Sequence, residues 1–334
     1  MVKNRKVLVT GGAGYVGVEL VKKLYSEGYS VVVFDLFWFI GTDVFDAMSD
    51  RVTCYKEDIR DLDKLQKATL GCTDFIHLAC ISNDPSYDLN PKLSKSINYD
   101  CFEDIVKIAK KSGVSRFIYA SSSSVYGVKE ESHVTEDLAL DPLTDYSKYK
   151  ALCEEILMRY NSEEFTTVAV RPATVCGYSE RLRLDVVVNI LTNFAVNKDL
   201  VKVFGGSQKR PNIHIDDMVR CYLSLLEVDT RKISGEVFNV GGENHTVLEL
   251  ANMIATEADV EKVIVEHSDD IRSYHISSKR IEEKLGFVAK KSIREAVADL
   301  ILKFKEGVIP NSFEDDKYFN VKYLSEKEID ENCH

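Results

Sequence analysis

The sequence predicts an α/β chain: a doubly wound parallel sheet followed by a smaller C-terminal α/β lobe. Three observations carry that prediction. Short runs rich in Val, Ile, Phe and Tyr alternate with helix-period segments through the first half. Those runs are almost continuously apolar, as strands covered on both faces require. A glycine-rich turn, residues 11–17, joins the first run to the first helical segment.

Lys6–Thr10 reads as the first strand and Tyr15–Ser26 as the first helix. Ser30–Asp35 and Val52–Lys56 follow as strands, Leu62–Thr69 as a helix and Asp74–His77 as a strand. Lys92–Ser112 reads as a long helix stopped by Gly113, and Arg116–Ser121 as the fifth strand. A further helix is expected from Asp145 to Tyr160, where Tyr149, Leu152, Cys153, Ile156 and Tyr160 make one apolar stripe. Thr166–Arg171 is the next strand. Beyond it the alternation loosens. Residues 1–176 are therefore read as one domain, with segments near 211–240 returning to it, and 177–310 mainly as a second lobe. Thr246 with Glu249, and Ser292 with Glu295, have capping-box spacing. The second box opens a last helix ending near Gly307. Residues 311–334 are charged and poor in aliphatics, so a surface arm is expected there.

Composition narrows the function classes. Net charge is −11 and no Lys/Arg run forms a basic stripe, so nucleic acid and anionic membranes are not expected partners. The apolar run after the basic N-terminus ends at Thr10-Gly11, short of a signal-peptide core. No stretch approaches the roughly 20 apolar residues of a bilayer span. The cysteines include no CxxC pair, which suits reduced thiols in the cytoplasm and no metal site.

In the turn, Gly11, Gly14 and Gly17 have GxxGxxG spacing between a strand and a helix. Glycine permits the tight turn and lets a pyrophosphate approach the main chain. Tyr15 and Val16 open the helix, whose unpaired N–H groups attract phosphate. Asp35 closes the second strand, where an acidic side chain meets ribose hydroxyls and repels a 2′-phosphate. NAD is therefore the expected cofactor.

Tyr146 and Lys150 stand four apart at the start of a helix and share a face. A phenol titrates near 10 and is a poor base at neutral pH. A neighbouring ammonium is expected to lower that value. Ser121–Ser124 follow the fifth strand at the edge of a doubly wound sheet that faces ligands. A serine there can bond both phenol and substrate.

Together these residues resemble the extended short-chain dehydrogenase/reductase family, the group that contains UDP-galactose 4-epimerase. The motifs GGAGYVG (11–17), DIRD (58–61), HLAC (77–80), SSSSVYG (121–127), YSKYK (146–150), RPATVCG (171–177), RPNIHIDD (210–217) and FNVGG (238–242) carry it from Lys6 to Val308. The resemblance implies a Rossmann-type NAD domain and a lobe for a nucleotide-diphosphate sugar. It implies Tyr146 as base, Ser122 as its hydroxyl partner, and Lys150 on the nicotinamide ribose. Asp58 and Ile59 would meet adenine, Ala79 would line the nicotinamide channel, and Asn98 would sit behind the cofactor. Ser123, Thr174 and Arg210 would face the substrate. A homodimer is implied, through the helices at 92–112 and 145–160.

Departures from the family pattern bear on the reaction. Ser123 and Ser124 stand where the dehydratases carry an Asp-Glu pair. Ser82, Thr174 and His267 replace a lysine, an asparagine and an arginine of the galactose epimerases. Arg181, Arg183 and Arg272 are candidate replacement anion binders. The implied reaction is epimerisation at a hexose carbon, C4, through a transient keto-sugar and bound NADH. A dehydrogenase or reductase with net redox, and a non-catalytic dinucleotide sensor, are the alternatives.

Overall fold

The computed structural model describes residues 4–131, 133–267 and 275–326. Its strands are β1 (Lys6–Thr10), β2 (Ser30–Asp35), β3 (Val52–Lys56), β4 (Asp74–His77), β5 (Arg116–Ala120), β6 (Thr166–Pro172), β7 (Thr174–Cys176), β8 (Val201–Phe204), β9 (Lys209–His214), β10 (Glu236–Val240), β11 (Glu243–Thr246) and β12 (Val263–Glu266). Its α-helices are α1 (Tyr15–Ser26), α2 (Leu62–Thr69), α3 (Asp84–Tyr87), α4 (Pro91–Lys95), α5 (Phe102–Lys111), α6 (Asp145–Arg159), α7 (Val187–Lys198), α8 (Ile215–Glu227), α9 (Val247–Ala258), α10 (Lys279–Leu285), α11 (Ile293–Lys305) and α12 (Asn320–Ser325).

Seven strands form one parallel sheet in the order β3-β2-β1-β4-β5-β6-β10. Alternation along each strand feeds two cores. Val7, Val9, Val31 and Val33 pack with α1 and α8 on one face. Leu8, Val32 and Phe34 pack with α2, α5 and α6 on the other. Burial on both faces explains the unbroken apolar runs. The strand order reverses between β1 and β4, and a doubly wound sheet opens its ligand crevice at such a point.

Two smaller sheets follow: β11-β9-β7, and β12 parallel to β8. With α7, α9 and α11 they enclose a third core around Leu191, Leu250, Ile254 and Val297. Both expected capping boxes close, Thr246 with Glu249 and Ser292 with Glu295. A fourth, Tyr15-centred cluster joins the large sheet to this region through Leu182, Leu184, Ile215, Leu300 and Tyr318.

Two expectations need correction. The helix expected over Lys92–Ser112 is α4 and α5 joined by a π-helical turn at Ser96–Asp100. The widened turn carries Asn98, whose amide is tied to both backbone groups of Ile81 (2.8 and 2.9 Å). The segment after Pro310 is not a surface arm over its described part. Ser312, Tyr318, Asn320 and Leu324 are buried. Aromatic side chains supply what the aliphatics lack: Tyr323 stacks near Phe39 (4.7 Å between centroids) and its hydroxyl donates to the Trp38 carbonyl.

Candidate active site

A cavity of about 530 Å³ opens beyond the carboxyl ends of β1, β4 and β5. That lies within the roughly 300–1,000 Å³ of small-molecule sites. Its floor is the glycine turn. Gly11 has φ +70°, and a Cβ there would stand 2.6 Å from the Ala79 nitrogen. A Cβ on Gly17 would meet the Gly12 Cα at 2.7 Å and press harder still on the Gly11 carbonyl. Only glycine allows the turn to nest against β4 and α1. Asp35 ties the turn to β2: its carboxylate accepts from Ala13 N (3.0 Å) and Phe37 N (2.8 Å). Burial pushes its pKa up against those bonds. Each oxygen keeps acceptor capacity towards the cavity.

On the opposite wall, Thr144 caps α6 and the helix presents Tyr146 and Lys150 one turn apart. Ser122 lines the same cavity as Tyr146 and favours its phenolate, and Ser124 Oγ lies 2.8 Å from Ser122 Oγ. Lys150 Nζ donates to the Ala120 carbonyl (2.7 Å) and stands 5.8 Å from the Tyr146 ring centroid. Burial holds the Tyr146 pKa well above the ordinary phenol value. The charge that most opposes this is Arg183, with Ser122 helping. The bond to Ala120 uses one of the three ammonium donors of Lys150, whose charge stays near the phenol ring.

Arg183 is anchored. Its Nε donates to Asp185 (2.8 Å) and Nη1 to Ser82 (3.2 Å), while Nη2 is buried without a partner. Burial opposes its charge, and the Asp185 carboxylate more than compensates, raising its pKa. Arg181, two residues earlier, reaches towards the cofactor side. Its guanidinium lies 3.9 Å from the Phe39 ring centroid and donates to the Asn320 amide oxygen. Nε and Nη1 are buried with no hydrogen-bond partner.

Of the residues expected from the sequence, Gly11, Gly14, Tyr15, Val16, Gly17, Asp35, Ile59, Ala79, Ser122, Ser123, Tyr146, Lys150, Thr174, Arg183 and Arg210 all line this one cavity. Asp58 does not. Its carboxylate is closed by Arg60, which donates from its backbone N (2.8 Å) and guanidinium (2.7 Å). Asn98 also stands outside the wall, bracing Ile81, which is in it. Arg272 lies outside the described residues. His214 and Asp217 hold the fold: His214 caps α8, and Asp217 accepts from Lys290 N and Lys291 N. Sequence reasoning missed Asn320 and Leu324 in the wall. No local pattern marks them.

The donor set fits a dinucleotide. Glycines leave main-chain room, an acid closes β2, and buried guanidinium N–H groups await an anion. Residues 7–241 match the model of the NAD dependent epimerase/dehydratase family. UDP-glucuronic acid decarboxylase 1 of Arabidopsis thaliana is 28 % identical over 92 % of this chain and 71 % of its own. UDP-glucose 4-epimerase of Bacillus subtilis is 24 % identical over 88 % of this chain and 95 % of its own. The solved UDP-glucuronic acid 4-epimerase from Bacillus cereus, in complex with UDP-glucuronic acid and NAD, is 26 % identical. It superposes with a TM-score of 0.79 over 90 % of this chain and 99 % of its own. Motifs, sheet order, cavity and relatives agree: the chain belongs to the NAD-dependent epimerase/dehydratase family of extended short-chain dehydrogenase/reductase enzymes, which use NAD on nucleotide sugars.

Proposed function

We propose that the chain is a nucleotide-sugar epimerase acting at C4 of a hexose. The observation that carries this is that Tyr146, Lys150 and Ser122 line one cavity with the glycine turn. Tyr146 holds the proton position: its phenol oxygen takes the proton of the sugar hydroxyl, and Ser122 orients both. Arg183 favours the phenolate by Coulomb attraction. Lys150 fixes the helix against Ala120 and, with a remaining ammonium donor, bonds a ribose hydroxyl of the cofactor. Gly11, Gly14 and Gly17 receive the cofactor's diphosphate, and Asp35 its adenosine ribose. Bound there, NAD supplies a reversible hydride acceptor beside the oxidised carbon. Thr174, Arg183 and Arg210 receive the nucleotide sugar, in a lobe formed mainly by residues 177–310.

Serines at 123 and 124 separate this reading from dehydration, since no carboxylic acid follows Ser122 to expel water. The relatives include both decarboxylases and 4-epimerases, so the product is what distinguishes the readings. Incubation of the purified chain with UDP-, GDP-, TDP- and CDP-hexoses and hexuronates, without added NAD, tests the proposal by NMR and mass spectrometry. An isomer of unchanged mass supports it. Stoichiometric NADH, or a product lighter by carbon dioxide, replaces it with a dehydrogenase or a decarboxylase.

A further inference from the structure

Arg181 is a cation without a counter-ion in the described structure. It is 4 % exposed, its Nε and Nη1 have no hydrogen-bond partner, and its Nη2 donates to a neutral amide. Burial and the adjacent Arg183 push its pKa down to about 9. A charge buried this way is stable only when an anion joins it. The surroundings say which anion. The groups that most favour its charge are Asp185, Asp35 and Tyr15. Asp35 ends β2 and Tyr15 starts α1, so two of these flank the glycine turn. Phe39, under the guanidinium, lies in the loop that leaves Asp35. Arg183 instead reaches Tyr146 and Ser82. Tyr15 lies within the influence of both arginines, while Asp35 goes with Arg181 and Tyr146 with Arg183.

We propose that Arg181 is the cationic ligand of the cofactor's diphosphate, seated by Asn320 and Phe39. Asn320 is suited to that task. Its Nδ2 donates to Ser82 (3.1 Å), its main-chain N to Asp185 (3.0 Å), and its oxygen receives Arg181. α12 therefore belongs to the NAD site, far outside the motifs that announce it. The unpartnered Nε and Nη1 lie on different edges of the guanidinium, so each offers a single charge-assisted hydrogen bond to a phosphate oxygen.

The test compares wild type, Arg181→Met and Arg181→Lys, each stripped of nucleotide. Calorimetric titration with NAD and separately with UDP is combined with thermal melting of the stripped proteins. Arg181→Met is expected to weaken NAD at least tenfold, leave UDP within twofold, and melt no lower than wild type without ligand, because an unmatched buried charge has gone. Arg181→Lys recovers part of the NAD affinity. NAD affinity unchanged within twofold overturns the proposal. So does loss of UDP in place of NAD, which would assign Arg181 to the substrate. So does an Arg181→Met chain that fails to fold, since the charge would then be structural. The inference rests on NAD occupying the glycine turn; a wild-type chain that binds no NAD overturns that assignment instead.

Discussion

Arg171 grips Glu154 in a buried two-pronged ion pair, Nη2 to Oε2 at 2.7 Å and Nε to Oε1 at 3.0 Å. Glu154 stands one turn beyond Lys150 and two beyond Tyr146 on the same face of α6. Its carboxylate also accepts from Ser121, and Arg171 donates to the Tyr126 hydroxyl (2.7 Å), which donates to Asn239 (2.8 Å). The network pins the helix that bears the phenol to β5, β6 and β10.

Removing one partner leaves the other charged and dry. Glu154→Gln is expected to cost about 3–5 kcal/mol in chemical unfolding. Asp100→Asn, which breaks the half-exposed Lys95–Asp100 pair, is expected to cost under about 1 kcal/mol. Equal losses in the two variants would contradict the role given to the network.

Arg183 predicts a pH signature. Removing its cation raises the Tyr146 pKa further, so less phenolate exists at any given pH. Arg183→Met should lower kcat/KM about tenfold or more near neutrality, with the rate recovering as pH rises. Arg183→Lys should restore most of it. A pH–rate profile of unchanged shape would show that Arg183 only binds.

Burial, aided by the Lys150 charge, presses the His77 pKa down to about 3. The folded imidazole is neutral and bonds Thr10 Oγ1 (2.8 Å). Unfolded, it titrates near 6.5, so the unfolded chain binds the extra proton between those values. Stability from this source is whole above about pH 6.5 and falls below it, by about 2 kcal/mol at pH 5. Urea titrations at pH 5, 6 and 7 should show this slope flattened in His77→Gln. The part due to His214, also lowered by burial, should remain.

Gly17→Ala places a Cβ against the Gly12 Cα and the Gly11 carbonyl. Overpacking of this kind costs about 1–3 kcal/mol, and here it also forces the turn open. Lower stability is expected together with lost NAD binding. Normal NAD affinity in the variant would remove the turn from the site.

The legible parts of this site are local. Glycine spacing, the acid after β2 and the Tyr146–Lys150 interval each lie within one strand–turn–helix unit, where periodicity speaks directly. The tie between Asp58 and Arg60, two residues apart, is local, yet the sequence reading did not name it. The π-helical turn escaped because one widened turn leaves the apolar spacing of its neighbours intact. Arg181 and Asn320 meet across 139 residues, and no single-sequence pattern reports such a pair. Nor does pattern reveal that Arg183 also acts on the phenol, since the two are 37 positions apart.

The union of Trp38 with Tyr323, 285 positions apart, sets an order of events during synthesis. The β1–α1–β2 unit can collapse before most of the chain has been synthesised, since domains form as they emerge. The Phe39 loop, however, meets its aromatic partner only after α12 has appeared. A closure of such long range is entropically slow and comes late. The nascent protein should therefore acquire its sheet well before it can retain its nucleotide, and cofactor capture would wait on α12.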